Sequence, residues 1–203
     1  MPPHLTGASS RLWDARAGRP RFLNDFLNFP LDIFLYLYYN KDNKRIKKGN
    51  DDKMKKYTVW FDMDGTLGNL YAVDDWLPKI RHEDASPYLD AAPMLRLCTL
   101  ARLLNALQRN GYEIGIISWL SKGGSENYGS KVAAAKKEWL SKHLPSVTWN
   151  KITIVPYGTP KNNFCESPLD ILFDDEKPNR DNWSGKAYEP SEILEVLKSL
   201  KDW

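Results

Sequence analysis

An apolar run that drives straight into two carboxylates constrains this chain more than any other feature. In VWFDMDGTLGNL, residues 59–70, Val59, Trp60 and Phe61 lead directly to Asp62, and Asp64 comes two positions later. The stretch YTVWFD is rich in β-branched and aromatic residues and too short for a typical helix, so it reads as a buried strand. A strand buried on both faces belongs inside a sheet. The acids at its end must then meet something that compensates their charge.

Downstream, strands and helices alternate. PMLRLCTLARLLNALQRNG, 93–111, is the clearest helix, with Leu97, Leu100, Ala101, Leu104 and Leu107 on one stripe. Pro93 suits its first turn and Gly111 its end. YEIGIIS, 112–118, is the second strand, and a helix comes next over about 129–143. KITIV, 151–155, and DILFD, 170–174, are the third and fourth strands. A last helix spans about 190–201 with Ile193, Leu194, Leu197 and Leu200 inward. This alternation predicts an α/β fold, a Rossmann-like parallel sheet with helices on both faces.

In such a sheet, ligands bind outside the carboxyl ends of the strands. Asp62 ends the first strand and Asp64 lies just beyond; SWLS ends the second; DDE, 174–176, ends the fourth. Carboxylates from two strand ends would converge, which is costly unless a cation neutralises them. All-oxygen ligation suits Mg²⁺, which keeps waters and binds substrate phosphate. A DxDG run can also be an ordinary Asp-Gly turn or a calcium-type loop. The run does not continue as an EF-hand, because Glu is not where a bidentate ligand should be.

DMDGT at 62–66, an apolar strand ending in Ser118, a later lysine, and ILFDDE at 171–176 resemble the four signature motifs of haloacid dehalogenase-like (HAD) phosphohydrolases. The resemblance covers about 57–203. It implies that Asp62 is a nucleophile forming an aspartyl-phosphate, and that Asp64 is the general acid/base. It implies Mg²⁺ on the Asp62 side chain, the Asp64 backbone carbonyl and an acid of the fourth motif, with Asp175 favoured over Asp174 as direct ligand. Ser118 would hydrogen-bond a phosphate oxygen. Gly65 lets the chain turn and approach the substrate, and Thr66 would fix the loop by local hydrogen bonds. The balancing lysine is expected at Lys161, with Lys131 as the alternative.

The implied activity is Mg²⁺-dependent phosphomonoester hydrolysis on a small phosphorylated substrate. The run APMLRLCTLARLLNALQRNGYEIGIISW and the later KKEWLSKHLP look most like the 5'(3')-deoxyribonucleotidase-type members, so a nucleotide is the expected class. Only about 28 residues, 68–95, separate the first motif from the strong helix, which leaves room for a small cap or flap at about 68–92. Tyr71, Trp76 and Trp119 lie near the expected mouth, where they can stack a base or simply pack a lid. His82 and His143 lack partners at ligand spacing and read as surface or helix-face residues. A phosphatase acting on nucleic-acid ends and a non-catalytic phosphate-binding module are the competing readings. The intact DMDGT argues against the second, since a pure binder needs no proton donor at Asp64.

The first quarter differs in composition. Residues 1–56 carry 12 Lys+Arg against 6 Asp+Glu, whereas 57–203 carry 17 against 20. The densest part, KDNKRIKKGNDDKMKK at 41–56, reads as a solvated linker, with nucleic acid as the less favoured partner. The aromatic stretch 22–39 is interrupted by Asn24, Asp25, Asn28, Pro30 and Asp32, so no membrane span is expected there. Residues 1–56 are expected to form a basic and aromatic N-terminal segment: either 22–39 is an amphipathic helix, broken near Pro30, that rests on a partner or on the core, or the segment is a leader or linker ahead of a domain opening near Met54. Residues 57–203 are expected to be the catalytic domain. Cys98 and Cys165 make neither a disulfide framework nor a metal-type spacing, which points to a reducing, cytoplasmic setting.

Overall fold

The computed structural model describes residues 57–201, together with two two-residue strands, Trp13–Asp14 and Arg19–Pro20, that pair antiparallel. The chain divides into two units, Met1–Asp52 and Lys53–Trp203. The aromatic stretch 22–39 and the lysine-rich run 41–56 lie outside the described residues.

Five parallel strands make the sheet of the second unit: β1 Thr58–Phe61, β2 Glu113–Trp119, β3 Lys151–Val155, β4 Ile171–Phe173 and β5 Lys186–Tyr188. Their spatial order is β3-β2-β1-β4-β5, with all four pairings parallel. This is the doubly wound α/β order, in which the chain reverses direction across the sheet beside β1. β5 is an addition to the four strands expected. It is three residues long, and Lys186 and Tyr188 flank a single alanine, so no apolar run announces it.

The helices are α1 Trp76–Arg81, α2 Ser86–Asp90, α3 Leu97–Arg109, α4 Glu126–His143, α5 Lys177–Asp181 and α6 Ile193–Lys201. Val59 and Phe61 of β1, Ile114 and Ile116 of β2, and Ile171 and Phe173 of β4 form one core with leucines of α3 and α6 and with Trp139 and Leu140 of α4. Phe61 and Phe173 stack at 5.1 Å between ring centroids. Trp60, Ile117 and Leu172 point to the other side and pack against Trp183 and Phe164. Burying each such side chain contributes about 1.5–3 kcal/mol. Val59, Trp60 and Phe61 together hold β1 in place despite the acids at its end.

Pro93 is not in the first turn of α3. It pairs with Gly68 in a short antiparallel bridge, Gly68–Asn69 against Ala92–Pro93, and α3 starts only at Leu97. That bridge closes the neck of the 68–93 insertion, which holds a 3₁₀ turn at Leu70–Ala72, α1 and α2. Leu70 and Tyr88 of the insertion pack with Tyr128, Val132 and Ala135 of α4. Its tip is tied down as well. Glu83 accepts hydrogen bonds from the backbone N–H and the hydroxyl of Ser125, both at 2.8 Å, and Tyr128 Oη donates to the Asp84 carbonyl at 3.1 Å. Among the described residues no helix is long and apolar enough to cross a membrane.

Candidate active site

Parallel strands end on the same edge of a sheet, so Asp62, Ser118 and Asp174 emerge side by side. The Asp62 N–H donates to the Phe173 carbonyl at 2.9 Å, extending the β1–β4 ladder to the acid itself. The loop after it winds around one atom: the N–H groups of Thr66, Leu67 and Gly68 all donate to the Met63 carbonyl, at 3.2, 3.0 and 2.9 Å. Met63 and Leu67, both buried, anchor that loop in the core. Gly65 has φ +74°, and a Cβ there would overlap the Asp175 carboxylate and the Tyr71 ring.

The carboxylates of Asp62, Asp174 and Asp175 each place an oxygen within 4.8 Å of the others. Lys161 enters from the 3₁₀ turn Lys161–Phe164 after β3, and its Nζ lies 3.0 Å from Asp62 Oδ1 and 2.6 Å from Asp174 Oδ2. The same ammonium sits 5.0 Å from the centre of the Trp119 ring, whose own N–H donates to the Thr159 carbonyl at 2.8 Å. Lys131, the alternative, is exposed on α4 and has no place in the cluster.

The two acids of the fourth motif divide their work. Asp174 is fully buried and consumed by partners: Lys161, the Glu176 N–H at 2.9 Å and the Asn179 side chain at 3.1 Å. Arg180 clamps the backbone of both, donating to the Asp174 and Asp175 carbonyls at 2.8 and 2.7 Å. Among the described residues, no lysine or arginine pairs with the Asp175 carboxylate, which is left to face the cluster. Burial, followed by the charges of Asp62 and Asp174, pushes it up to about 7. Burial, followed by Asp62, also raises Asp174, against the pull of Lys161. Two acids held above their ordinary range mark a pocket short of positive charge. An all-oxygen donor set of this kind fits a hard divalent ion, with Asp62 and Asp175 as the available ligands.

Asp170, the acid at the opposite end of β4, is a contrast. It is just as buried, but it accepts from the Thr58, Glu166 and Ser167 N–H groups at 3.1, 2.9 and 3.2 Å. A carboxylate so satisfied is structural.

Asp64 faces a different lysine. Lys136, completely buried on α4, lies 2.6 Å from Asp64 Oδ2, 2.8 Å from Ser118 Oγ and 2.7 Å from the Trp119 carbonyl. Burial raises Asp64 above the ordinary carboxylate range, and Lys136 opposes that shift. Sequence reasoning misses Lys136. Its signal is present: it occupies the inward stripe of α4 with Val132, Ala135, Trp139 and Leu140, where a lysine is out of place unless an acid awaits it.

Thr66 departs from expectation. Its hydroxyl is buried and has no hydrogen-bond partner among the described residues, so the loop is fixed by backbone bonds to Met63 rather than by the Thr66 side chain. Of the aromatic residues, Tyr71 is half exposed over the Gly65 loop and meets Trp76 edge-on at 5.2 Å, while Trp119 meets Tyr157 at 5.0 Å. His82 is exposed, and the ring of His143 lies 4.6 Å from that of Trp139, so neither joins the cluster. Cys98 and Cys165 are free thiols.

No family model matches the chain, and no curated protein matches it at a significant level. Among solved structures, the D,D-heptose 1,7-bisphosphate phosphatase of Burkholderia thailandensis is similar at a TM-score of 0.38 and 12% identity, over 62% of this chain and 70% of that one. A likeness that distant says nothing about the substrate of this chain.

Proposed function

We propose that the chain is a HAD-type phosphomonoesterase that hydrolyses a small phosphorylated metabolite, nucleotide-like by preference, through an aspartyl-phosphate on Asp62. The observation that carries this reading is the convergence of Asp62, Asp174, Asp175 and Lys161 at the carboxyl edge of the sheet, with Asp64 two residues from Asp62.

Asp62 is the nucleophile: its carboxylate oxygen forms a bond to phosphorus as the ester P–O bond breaks. Asp64 gives its proton to the departing alkoxide, then takes one from the water that attacks the phosphoenzyme and releases phosphate. Mg²⁺, when bound by Asp62, Asp175 and the Asp64 carbonyl, offsets the negative charge of the phosphoryl oxygens. Lys161 has three N–H donors and spends two on Asp62 and Asp174, so one remains for a phosphoryl oxygen. Ser118 donates a second hydrogen bond to the phosphoryl group. Asp174 orients Lys161 and the loop that carries Asp175. Tyr71, Trp76 and Trp119 supply flat apolar surface for a base. The unit Lys53–Trp203 suffices for this chemistry, with the 68–93 insertion as a small cap.

The test is a panel of phosphorylated metabolites, with and without Mg²⁺, run on the wild type and on Asp62→Asn. Turnover should need the ion and vanish in the variant, with the deoxynucleoside monophosphates among the best substrates. An Asp62→Asn protein that hydrolyses esters at the wild-type rate overturns the mechanism. Silence of the nucleotides alone overturns the substrate preference and leaves the reaction class standing.

A further inference from the structure

Lys136 has a role that differs in kind from that of Lys161. An ammonium carries three N–H donors. Those of Lys136 have three acceptors within 2.8 Å: Asp64 Oδ2, Ser118 Oγ and the Trp119 carbonyl. None remains for a substrate. The side chain is fully buried, with Nζ 5.0 Å from the centre of the Tyr88 ring, so it is held in this geometry from the insertion side as well.

We propose that Lys136 is a positioning residue that ties the proton-transfer group Asp64 to the phosphate-contact group Ser118 without itself touching the phosphoryl group. This rests on the phosphatase reading above. Hydrogen-bond polarity gives the arrangement two consequences. With Oδ2 of Asp64 occupied by Lys136, the other oxygen of that carboxyl is the one that carries and delivers the proton. With Ser118 Oγ accepting from Lys136, the hydroxyl hydrogen must point elsewhere, which makes Ser118 a donor to the phosphoryl oxygen. One cation therefore sets the facing atom of one residue and the donor sense of another. The Trp119 carbonyl, at the end of β2, fixes that cation to the sheet.

The leaving-group dependence of kcat/KM separates this role from direct phosphate binding. kcat/KM reports the steps through formation of the phosphoenzyme, where the alkoxide needs a proton from Asp64. A p-nitrophenyl ester leaves as a stable phenolate and needs none. In Lys136→Met, kcat/KM for an alkyl phosphate should fall about 10²-fold or more, and for p-nitrophenyl phosphate by less than about 5-fold. Adding Lys136→Met to Asp64→Asn should cost less than about 5-fold more, no greater than the loss on p-nitrophenyl phosphate, because only the effect on Ser118 remains once Asp64 is gone. If Lys136→Met is insoluble, Lys136→Leu, which likewise leaves no N–H donor at that position, carries the same comparison. Equal losses on both esters, no loss on either, or a full further loss in the Asp64→Asn background overturns the proposal. A wild-type protein that turns over neither ester with Mg²⁺ overturns the phosphatase reading and the role of Lys136 with it. Normal wild-type turnover with the wrong leaving-group pattern overturns the role of Lys136 alone.

Discussion

Lys161 and Asp62 form a buried ion pair at 3.0 Å, and the same ammonium reaches Asp174 at 2.6 Å, so one cation from the loop after β3 joins the ends of β1 and β4. Burial alone would lower Lys161; the Asp62 and Asp174 carboxylates outweigh it and hold the lysine above its ordinary value. The pair thus secures two strand ends as well as the proposed site.

Removing that cation should destabilise as well as inactivate. Lys161→Met leaves two buried carboxylates facing each other, and breaking a buried pair from one side costs about 3–5 kcal/mol. The exposed pair Lys177–Asp181 is the control: Lys177→Met should change stability by at most about 0.5 kcal/mol. Urea unfolding of both variants checks the contrast, and saturating Mg²⁺ should restore part of the Lys161→Met loss.

Asp175 should make the stability of the metal-free protein depend on pH. Its folded value is about 7, against about 3.9 in an unfolded chain. Between those values the folded protein keeps a proton that the unfolded chain has lost, so the contribution is present at low pH and fades as pH rises through about 7. Solvent screening at this half-buried side chain reduces the size of the effect but not its sign. Mg²⁺ competes with that proton, so its affinity should rise over the same window. Urea titrations at pH 5, 6, 7 and 8, with chelator and with Mg²⁺, on wild type and Asp175→Asn, measure both. The decline should be steeper in the chelated wild type than in Asp175→Asn or with Mg²⁺ bound.

Gly65 and Gly158 separate backbone strain from crowding. Both have positive φ, +74° and +83°. A Cβ at Gly158 meets nothing within 4 Å, whereas at Gly65 it overlaps the Asp175 carboxylate and Tyr71. Alanine at either position should cost about 1–2 kcal/mol of stability. Only Gly65→Ala should also weaken Mg²⁺ binding, by about 10-fold or more, because it displaces Asp175, the proposed ligand. Calorimetric titration of the two variants distinguishes them.

The apolar run into Asp62, the leucine stripe of α3 and the paired acids after β4 were legible along the chain because each is a local pattern: alternation, helical period and adjacency. The family resemblance pointed to Lys161 after the third strand. Local reading failed at Pro93, where pairing with Gly68 overrode a good helix-start signal, and at β5, whose three residues join the sheet only because β4 lies beside them.

By itself, then, the sequence determined the order of four strands and three long helices and the identity of the acids at the strand ends. Only the tertiary structure decided which lysine meets which acid. Lys136 and Asp64 are 72 positions apart, and Lys161 and Asp174 are 13 apart. Contacts over such separations are set by how α4 and the loop after β3 pack on the sheet. No local spacing encodes that packing.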